Sequence, residues 1–146
     1  MKKIIAAIII SLGLVSSANA GSTGVGLSAD MGVGFAAQIE DKLNLSLGNS
    51  GFAADYIIKK THIDADFNTD VINDISWYVS TGVGYYWADW IAKSGDIDIR
   101  VPVGVVVKFA EKFDSYVQAA PALRILGEDG KLGFAVVGAI GVRYYF

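Results

Sequence analysis

Along most of the chain, large apolar residues occupy every second position, and the positions between them are small or polar. From Ile97 to Phe109 one set reads Ile97, Ile99, Val101, Val103, Val105, Val107 and Phe109. The other set reads Asp98, Arg100, Pro102, Gly104, Val106 and Lys108. A period of two with one apolar face predicts a β-strand. Three more segments follow the same rule: Ile75 to Trp87, Asp114 to Leu126 and Phe134 to Phe146. Shorter alternating runs surround Val25 and Leu27, Val33 to Ile39, and Leu43 to Leu47. A further run starts at Phe52, Ala54, Tyr56 and Ile58 and changes parity near Lys59-Lys60, because Ile63, Ala65 and Phe67 are odd-numbered. One extra residue in a β-bulge reconciles the two halves. Eight strands are predicted.

The breaks between them are brief: near Asp30-Met31, Glu40-Asp41-Lys42, Gly48-Asn49-Ser50-Gly51, Asn68 to Asp74, Ala88 to Asp96, Ala110 to Phe113, and Gly127 to Lys131. Short sequential links demand an antiparallel up-and-down order, and an even strand count lets such a meander close and lose its edges. Strands of a dozen residues are long for a globular protein, where five or six is usual. They suit a tilted membrane-crossing strand.

Aromatic spacing separates a membrane barrel from a soluble one. Trp77 and Trp87 share one face of a strand ten residues apart, as do Phe134 and Tyr144. Tilted by about 45°, that spacing climbs about 23 Å, against the ~25 Å apolar band of outer-membrane barrels. Aromatic rings at both ends of an aliphatic stripe match the two interfacial girdles. The smaller, glycine-bearing, charged face fits the cramped interior of an eight-stranded barrel.

The first twenty residues follow a different rule. Lys2-Lys3, an apolar run from Ile4 to Val15 and the ending Ala18-Asn19-Ala20 form the pattern of a cleaved secretory signal. The run is too short for the ~20 residues of a membrane helix. Residues 1–20 are therefore expected to be a signal peptide and 21–146 one barrel domain. Cleavage would take the formal charge from −3 to −5 by removing two lysines. An acidic chain without a basic cluster gives no footprint for nucleic acid. The absence of cysteine excludes disulfides and thiolate metal sites.

The ending Gly141-Val142-Arg143-Tyr144-Tyr145-Phe146 resembles the C-terminal assembly signal of outer-membrane barrels, with Phe146 terminal and Tyr144, Val142 and Ile140 at alternate positions before it. With Arg100-Val101-Pro102-Val103-Gly104 and Ala119-Ala120-Pro121, it resembles an uncharacterised group of short-looped, eight-stranded barrels of the OmpX/OmpA-transmembrane-domain type. The likeness is close over about the last fifty residues and architectural elsewhere. It implies recognition by the barrel-assembly machinery and supplies no catalytic residue and no agreed activity. The other partners expected are the secretion translocon and outer-membrane lipid of a Gram-negative envelope, with the chain a monomer.

On the inward face the alternation puts Asp55, Asp98, Arg100, Lys108, Gln118, Arg124 and Arg143, with Tyr78, Tyr86 and Tyr145; Glu40 and Lys59 fall near the rims. Such a set makes either a narrow polar conduit or a packed interior of paired charges. Eight strands leave room for side chains only, which favours packing. His62, the one histidine, would need a serine and an acid beside it to act on lipid, and the sequence shows no nucleophile elbow. The run Asp64-Ala65-Asp66-Phe67-Asn68-Thr69-Asp70 approaches a calcium loop but has Thr69 at the glycine position and Ile75 at the bidentate-glutamate position, so no metal or cofactor is expected. Three of the four outward loops are short, and the longest, Ala88 to Asp96, carries Trp90 and Ile91. That leaves little surface for adhesion. The expected role is a non-enzymatic barrel supporting the outer membrane, with a narrow porin-like channel second and a lipid-modifying enzyme third.

Overall fold

A computed structural model describes residues 23–64, 70–89, 92–127 and 129–146. The signal segment 1–20, residues 65–69 of the acidic run, and Trp90 and Ile91 lie outside the described residues. Every regular element among the described residues is a strand: β1 (Thr23–Asp30), β2 (Gly32–Ile39), β3 (Leu43–Gly48), β4 (Gly51–His62), β5 (Ile72–Tyr86), β6 (Ile97–Arg100), β7 (Val103–Phe109), β8 (Phe113–Ile125) and β9 (Leu132–Tyr145). All pairings are antiparallel, and β1 pairs with both β2 and β9, so the sheet closes into a ring.

The strand number corrects the sequence expectation. Ile97 to Phe109 is not one strand but two, β6 and β7, parted at Val101-Pro102. Proline has no N–H to give to a ladder, but the chain does not leave the sheet there. Val101 N–H donates to Pro121 O at 2.9 Å, and Pro102 O accepts from Ser80 N–H at 2.8 Å. The register is the same on both sides of the gap, Arg100↔Ala122 and Val103↔Ala119. Nine strands thus occupy eight positions around the ring. In β4 the ladder shifts between Ile57 and Lys59, and Ile58 is the extra residue of the bulge.

Register also sets the tilt. A circuit from Leu27 runs through Phe35, Leu47, Phe52, Tyr85, Ile97 and Ile125 to Leu132, yet the residue of β9 facing Leu27 is Val142, ten positions further on. Ten residues of stagger over eight strand positions require a tilt of about 40°.

Side chains sort to two sides, with their chemistry opposite to that of a soluble protein. Leu132 and Phe134 on the outer wall are each 74% exposed, while Arg100 and Asp98 inside are 0% exposed. The outer wall is a largely apolar belt that includes Leu27, Val33, Phe35, Ile99, Val103, Val117, Leu123 and Ile140, with Lys59 and Thr81 on the same side. One rim carries Thr23, Tyr145, the turns 40–42 and 110–112 and the β4–β5 connection; the other carries Met31, Asn49, Ser50 and the β5–β6 and β8–β9 connections.

Candidate functional site

Inside the ring, β6, β8 and β9 each contribute an arginine, and every arginine meets an aspartate. Near the middle, the Arg100 guanidinium donates to Asp30 from Nη1 (3.1 Å) and Nη2 (2.8 Å) and to Asp55 Oδ2 from Nη2 (3.0 Å). Its Nε lies 3.0 Å from Asp55 Oδ1 but off line for a hydrogen bond, so that contact is ionic only. Arg100 therefore ties β6 across the interior to β1 and β4. Gln118 reaches Asp30 at 3.5 Å and accepts from the Tyr78 hydroxyl at 2.6 Å. Asp30 and Met31 were expected only as a hairpin connection. Met31 instead turns inward, 1% exposed, with its sulfur 3.6 Å from Arg100 Nη1.

Towards the rim of the β5–β6 connection, Arg124 grips the facing Asp98 through Nε (2.7 Å) and Nη2 (2.8 Å). The Tyr86 hydroxyl donates to Asp98 Oδ2 at 2.8 Å, and its ring lies under the guanidinium at 4.9 Å. Towards the other rim, Arg143 grips Asp114 through Nε and Nη2, both at 2.9 Å, and donates to Asn44 at 3.2 Å. The Tyr145 hydroxyl sits 2.6 Å from Asp114 Oδ2 and 2.5 Å from Gln38 Oε1. Lys108 lies over the Tyr145 ring at 5.5 Å, at the edge of this cluster.

All ten residues named from the alternation lie on the inward side, distributed over these three clusters. The alternation did not single out Asp30, Asn44 or Asp114, although each falls on an inward position. Four aspartates face three arginines, and Lys108 at the edge of the Arg143 cluster brings the positive charges to four. Bidentate guanidinium–carboxylate geometry and hydrogen bonds to the remaining oxygens are what buried charges require. The space between Ala36, Asn44, Asp55, Tyr116 and Arg143 has no void that admits a water molecule. A shallow cleft of about 260 Å³ at the loop rim is lined by Lys93, Ser94, Asp96, Arg124, Leu126 and Asp129. Asp96 knits that rim together by accepting from Lys93 N–H and Gly127 N–H, each at 3.1 Å.

His62 has companions the sequence did not reveal. Asp74 Oδ1 lies 2.7 Å from its Nδ1, and Ser76 Oγ lies 3.3 Å from the same nitrogen. The chemistry does not follow from the proximity. Both described partners meet the same nitrogen, Nδ1, and the Ser76 hydroxyl donates to Asp74 Oδ2 at 2.8 Å. A serine nucleophile needs the histidine between itself and the acid. The histidine is a rim residue with its side chain 77% exposed.

No family model, no curated protein and no solved structure matches this chain. Its reading therefore rests on its own geometry.

Proposed function

We propose that the protein is an integral outer-membrane β-barrel with a packed, non-conducting interior, whose role is to occupy and stabilise the membrane rather than to catalyse a reaction. The observation that carries this reading is the inverted sorting of side chains: a largely apolar belt outside, three arginine–aspartate clusters inside. A belt of that area costs heavily in water and nothing in hydrocarbon. The closed ring supports the same reading, since it leaves few backbone groups for lipid to satisfy. On this reading the rim that carries Thr23 and Tyr145 faces the periplasm. Residues 1–20 direct export, and Ile140, Val142, Tyr144 and Phe146 form the assembly signal that the resemblance implies.

Nitroxides at Val103 and Val117 of protein refolded into vesicles test the address. Oxygen is expected to broaden both spectra and a soluble nickel chelate neither; chelate access at both positions would refute membrane insertion. Planar-bilayer recording tests the interior. No stepwise conductance is expected, and reproducible steps would replace the packed-interior reading with a narrow channel.

A further inference from the structure

The apolar belt is not equally tall around the ring. Adjacent strands β1, β2 and β3 have 8, 8 and 6 residues, whereas β5, β8 and β9 have 15, 13 and 14. At a rise of ~3.3 Å and a tilt of ~40°, each residue climbs about 2.5 Å along the axis. Outward apolar positions on β2 run from Val33 to Ile39, about 15 Å, and on β3 from Leu43 to Leu47, about 10 Å. On β8 from Phe113 to Ile125, and on β9 from Leu132 to Tyr144, the same measure is about 30 Å. The hydrocarbon band of an outer-membrane barrel is ~25 Å. The long strands exceed it, and the short ones miss it by about 10 Å or more.

The deficit is present at both ends. Glu40, Asp41 and Lys42 close β2 onto β3 at one rim, and Asn49 and Ser50 close β3 onto β4 at the other. Leaning the barrel would lift one of these polar turns only by sinking the other deeper. A second observation concerns the seam. Pairing of β1 with β9 ends at Ala29↔Ile140, while β9 continues alongside β8 up to Leu132↔Ile125. Above Ile140, the edge of β9 that faces β1 has no strand partner among the described residues. Such an edge is not tolerated in hydrocarbon, because its N–H and C=O groups find no acceptor or donor there.

We infer that the β1–β3 side, together with the upper edge of β9, is a membrane-thinning face. Its partner is the phospholipid bilayer itself, drawn in by about 10 Å over this sector, with headgroups and their water meeting the turns and the open edge. The opposite wall, β5 to β8, holds the bilayer at full thickness. The protein is then an asymmetric wedge, and lipid beside β2 and β3 has the shortest path between leaflets. This inference rests on the outer-membrane reading above.

Nitroxides at Val33 and at Ile99 of the opposite wall test it in a chain that has no cysteine of its own. Both residues are on the outer wall, 69% and 52% exposed, and the registers put Val33 about 3 Å lower along the axis than Ile99. Each variant is refolded into dioleoyl-phosphatidylcholine vesicles, with folding checked by heat-modifiable gel migration. A flat bilayer makes Val33 the deeper site. Thinning makes it the shallower one, with a chelate-to-oxygen accessibility ratio several-fold above that at Ile99. The gap should narrow in thinner dimyristoyl-phosphatidylcholine vesicles. Equal or greater depth at Val33, with Ile99 in hydrocarbon, overturns the thinning face alone. Chelate access at both sites overturns the outer-membrane reading instead.

Discussion

Removing the Arg100 guanidinium while keeping its volume, as in Arg100→Met, tests whether the interior is dry. In the native protein this one cation satisfies two carboxylates that are 2% exposed, Asp30 and Asp55, through three hydrogen bonds and one further ionic contact. Without it, two like charges remain enclosed, with Gln118 as a distant donor to one of them. Breaking a buried ion pair in this manner costs about 3–5 kcal/mol. With a denaturant slope of ~2 kcal/mol per molar, the urea midpoint should fall by about 2 M. The assay is urea unfolding in vesicles, followed by tryptophan emission and by gel migration of the unheated protein. The triple variant Arg100→Met, Asp30→Asn, Asp55→Asn should regain most of the loss, because neutral amides carry no uncompensated charge. A midpoint for Arg100→Met within about 0.5 M of the parent, roughly 1 kcal/mol on the same slope, would refute the reasoning. It would mean that water reaches both carboxylates and that the interior is open.

Three further outcomes are expected. Tyr78→Phe leaves Gln118 Oε1 without its donor and should cost about 1–2 kcal/mol in the same urea assay. Gly26→Ala should block refolding, because its Cβ would stand 1.7 Å from the Val142 carbonyl oxygen, whereas Gly138→Ala meets nothing within 4 Å and should fold as the parent does; gel migration separates the two. Ala110 and Glu111 both hold left-handed φ angles, 51° and 55°, so Ala110→Asn with Glu111→Gly should raise the urea midpoint, with a gain of about 1 kcal/mol.

Much of the architecture was legible because period-two alternation reports which face a residue occupies, whatever its neighbours. Val103 outward and Arg100 inward follow from parity alone, and the parity change at Lys59 located the bulge to within two residues. The division at Pro102 was not legible. Proline keeps the alternation intact while removing a ladder donor, and pattern reading does not see donors. The partners inside were legible as a set but not as pairs. Arg100 meets Asp30 from seventy positions away, a contact fixed by the ring's stagger and not by local sequence. His62 beside Asp74 and Ser76 depends on the register beyond the bulge, where a one-residue slip would have sent Ser76 to the other face. The unequal strand lengths were present in the sequence, but their meaning required the tilt and the order around the ring.

The closing ladder joins Gly24 to Tyr145, almost the first and last residues of the described chain. No fragment lacking the C-terminal strand can shut the ring, so the polypeptide gains its completed wall only once its final residues are available. Until then a partial sheet leaves its apolar outer face and an open strand edge uncovered, the features that make incomplete β-structure aggregate. Connectivity thereby makes closure the last event in this molecule's formation.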